Sequence, residues 1–101
     1  MRFDVRGRNL SVTAALRDHV IKRLRFALER VAPRLRRVAV QVADMNGPRG
    51  GVDKRCYVRV VLPGRTITIN ELDRDLYVAI DRAAERAGRA VERTLERLRA
   101  A

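Results

Sequence analysis

The 101-residue sequence has one cysteine, no tryptophan and few other aromatic residues, and each scarcity excludes a class of protein. A single cysteine excludes a disulfide framework, because small domains held by disulfides need cysteines in pairs. Two phenylalanines and two tyrosines are too few for the aromatic platform on which single-strand-binding sheets stack bases. Apolar runs fall short of the roughly 18 to 20 residues of a membrane span, and Met1–Gly7 is unlike a signal peptide. We therefore expect a cytoplasmic protein.

Positive charge is what the chain has in excess. Its 23 Lys and Arg residues oppose 12 Asp and Glu residues, which leaves a formal net charge of +11. Such a surplus attracts polyanions, so nucleic acid is the first candidate partner and an anionic membrane surface the second. With 47% hydrophobic residues, the chain can still form one modest aliphatic core. The length fits one domain over residues 1–101 and excludes a multidomain enzyme.

Apolar residues that alternate with polar ones predict four strands. The predicted strands are Arg2–Arg8, Leu35–Ala43, Arg55–Leu62 and Arg65–Asn70. Pro63 and Gly64 have the turn chemistry to join the last two as a hairpin, and the polar stretch Asp44–Asp53 predicts a loop.

Apolar spacings of three and four predict two helices. The first covers about Ala14–Val31 after a Thr13 cap, and the second covers Arg74–Arg99 after an Asp73 cap. The apolar stripe of the second helix comprises Leu76, Ile80, Ala83, Ala87, Val91, Thr94 and Leu98. The order β-α-β-β-β-α predicts a two-layer α+β domain, with both helices on one face of a four-stranded sheet.

The second predicted helix separates its charges by sign. At about 100° per residue, one band about 80° wide holds Arg82, Arg86, Arg89, Arg93 and Arg97. A second band holds Asp81, Glu85, Glu92 and Glu96, which can pair with arginines three or four residues away. Such pairing does not require separate bands, so the arginine band is interpreted as a phosphate-binding surface. A salt-bridged, solvated face is the alternative interpretation.

Basic residues are more scattered on the first helix, where Lys22, Arg23 and Arg30 lie on flanks that a neighbouring surface could share. Since the arginines are many and the aromatic residues few, the pattern indicates recognition of the nucleic-acid backbone rather than of bases.

Catalysis finds little support in the sequence. His19 is a lone imidazole, and Cys56 alternates with valines as a small core residue would. No cluster of Cys, His and carboxylates has metal-ligand spacing, and the Gly-rich run Gly47–Gly51 lacks the context of a phosphate-binding loop. We expect no enzyme activity, cofactor, metal or small-molecule substrate.

Two segments resemble the ribosome hibernation promoting factor and ribosome-associated inhibitor family. They are Thr13–Arg17 (TAALR), which opens the first helix, and the more specific Asp75–Asp81 (DLYVAID), which opens the second. The likeness covers essentially the whole chain. It implies a fold similar to double-stranded RNA-binding domains, lodged in the small ribosomal subunit's channel for messenger and transfer RNA.

The resemblance also implies particular contacts with ribosomal RNA (rRNA). Carried over by position, these contacts are Arg86, Arg89 and Arg93 on the second helix and Arg23 on the first. Arg82 rests on helical geometry alone, and the additional candidates are Lys22, Arg30 and Arg97. The family signature includes Asp75, Tyr77 and Asp81, whose two aspartates either fix the start of the helix or touch a ligand.

The implied function is steric inhibition of translation under stress, by a protein that is monomeric when free. The sequence ends at Ala101 without the extension by which long members pair two ribosomes, so a short form is expected. Two alternatives stay open. One is a general double-stranded RNA-binding module, and the other is a basic regulatory module that docks an acidic protein or an anionic membrane.

Overall fold

The computed structural model describes residues 1–46 and 51–100, and it confirms the predicted order of strands and helices. The elements are β1 (Arg2–Arg8), α1 (Ala14–Ala27), β2 (Arg37–Asp44), β3 (Lys54–Leu62), β4 (Arg65–Asp73) and α2 (Leu76–Ala100). Residues 47–50 of the predicted loop lie outside the described residues. No helix in the described ranges has the length and apolar character needed to cross a membrane.

The sheet has the strand order β1-β2-β3-β4. β1 runs parallel to β2, and the crossover between them is made by α1. The other neighbouring strands pair antiparallel. The register places Val38, Val40 and Val42 beside Val60, Val58 and Cys56, so one face of the central strands is continuously apolar. Both helices cover that face, with α2 over β3 and β4, and the core lies between the two layers.

The helix α1 is shorter than its apolar spacing predicts. Thr13 caps it as expected, because its hydroxyl accepts a hydrogen bond from the Leu16 amide at 3.1 Å. The helix nevertheless ends at Ala27 instead of Val31, and a 3₁₀ turn follows over Ala32–Arg34. Leu28 and Val31 are still buried in the core. The apolar spacing thus predicted which residues are buried, but it did not predict where the helix ends.

Asp75, not Asp73, caps α2, so the predicted cap was wrong by two residues. The Asp75 carboxylate accepts a hydrogen bond from the Tyr77 amide at 2.9 Å, while Asp73 accepts one from the Asp75 amide. Residues 71–73 extend β4 beyond its predicted end at Asn70, because they pair with the first three residues of β3. The helix can begin only after that pairing stops.

The buried stripe of α2 also differs at its C-terminal end. Leu95 is buried, whereas Thr94 is half-buried and Leu98 is 46% exposed. Packing against α1 buries Ala84 and Gly88 and turns the apolar face toward that helix. The last turn consequently leaves the predicted stripe partly in solvent.

At Gly88 the backbone of α2 packs directly against the backbone of α1 at Ala27. A Cβ atom at this position would lie 2.7 Å from the Ala27 carbonyl oxygen, closer than real Cβ atoms come. Glycine therefore permits the crossing, although it costs a helix interior about 1 kcal/mol relative to alanine. The close packing that explains Gly88 also fixes the positions of side chains displayed on both helices.

Cys56 is 1% exposed, which confirms its interpretation as a core residue. Burial, with a smaller contribution from the Glu71 carboxylate, raises the pKa of its thiol to about 12. The thiol is therefore neutral and shielded, as a structural cysteine should be.

Candidate nucleic-acid interface

The family signature lies where α2 meets α1, and its side chains hold the two helices together. Asp75 caps α2, and the Tyr77 ring packs edge-on against His19 with the ring centroids 4.7 Å apart. The Asp81 carboxylate lies 2.8 Å from His19 Nε2. Asp75 therefore fixes the start of α2, and Asp81 joins α2 to α1.

Arg23 is drawn into the same contact. Its Nε lies 3.1 Å from the Asp81 carboxylate, and one terminal nitrogen lies 4.0 Å from Glu85. About a third of the side chain is exposed. Because Asp81 approaches His19 and Arg23 together, it orients a basic group at the mouth of the cleft between the helices.

Arg82 and Arg86 extend from α2 toward the edge strand β4. Arg82 lies 3.1 Å from the Asp73 carboxylate, and Arg86 lies 2.7 Å from that of Glu71. Arg86 also donates a hydrogen bond to the Asn70 carbonyl oxygen at 3.2 Å. These two members of the predicted arginine band therefore tie α2 to the sheet while their side chains stay about half-exposed.

Further along the same band, Arg89, Arg93 and Arg97 are exposed, and no ion pair engages them within the described chain. Among the described residues, no ion pair joins an acid of α2 to an arginine of the same helix, and Asp81 and Glu85 instead approach Arg23 on α1. Lys22 and Arg30 on α1 are likewise exposed, with no acid within ion-pair distance among the residues described. The helix layer thus displays basic side chains that form no ion pair among the described residues, on a helix that also carries Glu92 and Glu96.

Phe26 was not predicted from the sequence as a site residue. Its side chain is 74% exposed, and it lines a cleft of about 200 Å³ between the helices. The charged residues that line the same cleft are Arg23, Arg89, Glu85 and Glu92. Phe26 stands outside the apolar stripe of α1, and that position was the available signal. An exposed aromatic ring in a cleft that also holds arginines can stack on a base while a guanidinium group binds phosphate.

The side of the sheet that faces away from the helices was also missed, and we call it the open face. Its basic residues are Arg2, Arg6 and Arg8 on β1, Arg37 on β2, and Arg55 and Arg59 on β3. The one acid among the described strand residues on this face is Asp4, which lies 2.6 Å from an Arg37 terminal nitrogen. The alternation within each strand was visible in the sequence. The register that brings the arginines together was not.

The exposed arginines give these surfaces the groups to bind phosphate. Arginine forms charge-assisted, often bidentate hydrogen bonds with phosphate oxygens, and a solvent-exposed arginine loses little hydration in doing so. In residues 1–46 and 51–100, no group of three or more His, Cys, Asp or Glu residues could hold a metal ion.

The fold and its exposed arginines define a small basic α+β domain suited to binding a polyanion. Residues 3–99 match the family described as Sigma 54 modulation protein / S30EA ribosomal protein, and the chain belongs to that family. This membership confirms the resemblance to the ribosome hibernation family.

Solved structures agree with this assignment. The N-terminal domain of Protein Y from Thermus thermophilus is 33% identical with a TM-score of 0.77, over 93% of this chain and 99% of that one. A ribosomal subunit interface protein from Coxiella burnetii has a TM-score of 0.78 at 18% identity, over 95% of this chain and 99% of that one, and supports the fold alone. Among curated proteins, no sequence matches.

Proposed function

We propose that this chain is a translation inhibitor of the ribosome hibernation type. It binds the small ribosomal subunit through rRNA phosphates and blocks the channel for messenger and transfer RNA under stress. It acts in the cytoplasm by occupying space, not as an enzyme, and is a monomer when free. The observation that carries the proposal is the exposed row Arg89, Arg93 and Arg97 on α2, in a member of this family.

The row is suited to a phosphate backbone because it lies on a rigid helix and because its arginines form no ion pair among the described residues. Four-residue steps along a helix place successive arginines about 6 Å apart along its axis. The Gly88 crossing holds this part of α2 against α1, so the row keeps its direction. A phosphate that reaches it displaces water instead of an internal carboxylate.

Arg82 and Arg86, which form ion pairs within the protein, are additional candidates for phosphate contacts. Exposed ion pairs such as those of Arg82 and Arg86 contribute about 1 kcal/mol or less, so either guanidinium can exchange its carboxylate for phosphate at small cost. Arg23 stays oriented by Asp81 and presents its charge beside Phe26. The helix layer therefore offers phosphate contacts along α2 and one stacking position in the cleft.

The decisive variant is Arg89→Glu with Arg93→Glu, because neither side chain has an internal partner to lose. We expect it to weaken binding to the small subunit about 100-fold or more, since two charge-assisted contacts become repulsive. Inhibition of in vitro translation should be lost in parallel. Arg86→Glu is a poorer choice, because it would place a second carboxylate beside Glu71 and disturb the fold.

The matched control is Arg17→Glu with Arg65→Glu, which changes the net charge equally at exposed residues without ion pairs in the described structure. The control should bind ribosomes within a few-fold of the unmodified protein. Equal losses in both variants would reduce the interaction to general charge attraction. Full competition by a plain RNA duplex, or a partner that survives complete RNA digestion, would instead favour one of the alternative functions.

A further inference from the structure

The open face carries a denser positive charge than the helix layer. Six arginines and one aspartate project from it, whereas α2 alone sets four acids against its six arginines. Arg37 neutralises Asp4 through two close contacts, of 2.6 and 2.7 Å, to one carboxylate oxygen. The remaining arginines have no carboxylate within ion-pair distance on this face, apart from Arg2 at 4.0 Å from Asp4.

The register arranges these arginines in two rows along the strands that flank β2, and we call these rows rails. One rail consists of Arg2, Arg6 and Arg8 on β1, and the other of Arg55 and Arg59 on β3. Across the sheet, Arg6 on β1 stands in the same row as Gln41 and Tyr57, and Arg59 on β3 stands in the same row as Ala39. On the open face, β2 alternates the longer Arg37 and Gln41 with Ala39 and Ala43. A cleft of about 240 Å³, which we call the trough, lies between β1 and β3 and is lined by Asp4 and Arg6 on one side and by Tyr57 and Arg59 on the other. Two strand spacings separate the rails by about 10 Å, and same-face residues recur about every 6.6 Å along each strand.

One aromatic group, Tyr57 on β3, lines the side of the trough. The Arg55 guanidinium carbon is 5.0 Å from the centroid of the Tyr57 ring, and Arg55 Nε donates a hydrogen bond to the Asn70 side-chain oxygen at 2.7 Å. These contacts hold the planar guanidinium over the ring. A single tyrosine does not make the aromatic platform of a single-strand-binding sheet, but an ordered guanidinium plane beside it offers one position where an unpaired base can stack while arginines hold the phosphates.

We propose that the open face is a second RNA-binding surface, which seats a single-stranded segment along the β2 trough. The Arg6 and Arg59 rails contact its phosphates, and a base stacks at Tyr57 and Arg55. A trough one strand wide between basic walls admits a single backbone, whereas a duplex would meet only its rim. An acidic protein segment would satisfy the charges but would leave the Tyr57–Arg55 stack unused. For this reason the observations favour RNA.

This proposal goes beyond the proposed function, which uses the helix layer only. The two surfaces lie on opposite sides of the domain, so one protein could hold two RNA elements at once. Ribosome binding through α2 could fail while the trough still binds single strands, and the reverse also holds. The two claims can therefore be tested separately in the same set of variants.

The test uses the whole chain and a labelled uridine oligonucleotide of about 12 nucleotides, which lies within the usual span of single-strand sites. Fluorescence anisotropy should show that Arg6→Glu with Arg59→Glu weakens binding at least about tenfold, because two phosphate contacts are lost. It should also lower the salt slope by about 1.4, at about 0.7 per phosphate. Tyr57→Leu should weaken binding about fivefold or more.

The Arg17→Glu/Arg65→Glu variant is the charge-matched control, because neither residue belongs to either proposed RNA surface, and it should keep most of the oligonucleotide affinity. Arg6→Gln with Arg59→Gln repeats the test with little risk to folding, and circular dichroism checks each variant. Equal weakening by all charge variants would overturn the trough as a site, and so would unchanged binding in the Arg6/Arg59 variants. Competition by polyglutamate equal to that by the oligonucleotide would assign the face to an acidic protein instead.

Discussion

The two sides of this domain use arginine differently. In the helix layer, arginines pair with acids on neighbouring elements, as Arg23 does with Asp81 and Arg86 with Glu71, so part of the charge braces the fold. On the open face, arginines project from strands whose positions the core already determines, and Asp4 is the one acid among the described strand residues that offsets them. Charge in the helix layer thus serves stability and binding together, whereas most arginines of the open face form no close ion pair there. Substitutions that affect stability should therefore cluster in the helix layer.

The largest expected difference is steric. Gly88→Val should destabilise the protein by about 2–3 kcal/mol, because its side chain would meet the Ala27 carbonyl oxygen at the helix crossing. Ala39→Val, on the face away from the helices, adds two of the three carbon atoms that Gly88→Val adds and should change stability by less than about 0.5 kcal/mol. Urea denaturation measures both. Similar losses in the two variants would contradict the contrast between packed and open sides.

The next difference concerns the start of α2. Asp75→Ala should cost about 1 kcal/mol, because it removes the side-chain acceptor of the Tyr77 amide. Asp75→Ser retains an acceptor at the cap and should restore most of that loss. Thermal unfolding of both variants measures the difference. A serine variant as unstable as the alanine variant would show that Asp75 does not stabilise the helix by capping it.

A smaller effect is expected from the ion pairs between the helices. Asp81→Ala should cost about 0.5 kcal/mol, since the carboxylate is partly exposed and solvent screens its contacts with His19 and Arg23. Glu96→Ala removes the same charge from α2, but Glu96 has no ion pair within the described residues and should be neutral. The loss in the Asp81 variant should shrink in high salt. Identical urea midpoints for the two variants would show that the contacts of Asp81 with His19 and Arg23 do not stabilise the fold.

The smallest expected change is at Cys56. At pH 9, the ordinary pKa of a cysteine thiol, the native protein should hardly react with iodoacetamide, because burial keeps this thiol neutral and inaccessible. Labelling should follow the addition of urea and coincide with unfolding. Rapid labelling of the native protein would mean that the interface between sheet and helices opens locally.

The sequence predicted the elements of the fold well because burial repeats with the period of each element. The predictions were wrong where a residue is buried without belonging to the helix. Leu28, for example, is buried although α1 ends at Ala27. The cap at Asp75 was missed because Asp73 offers the same chemistry, and only the pairing of residues 71–73 decides between them. The α2 arginines followed from helical spacing. The arginines of the open face depend on strand register, which joins residues as distant as Arg6 and Tyr57.

The central claim, ribosome association through a specific site, is tested most directly by sedimentation through sucrose. The protein would be centrifuged with small subunits, large subunits and intact ribosomes at about 0.1 and 0.5 M salt, conditions that separate a specific site from loose charge attraction. A parallel assay would measure in vitro translation. We expect saturable binding near one protein per small subunit, with translation lost. Equal binding to every RNA-containing particle, or no binding at all, would contradict the account.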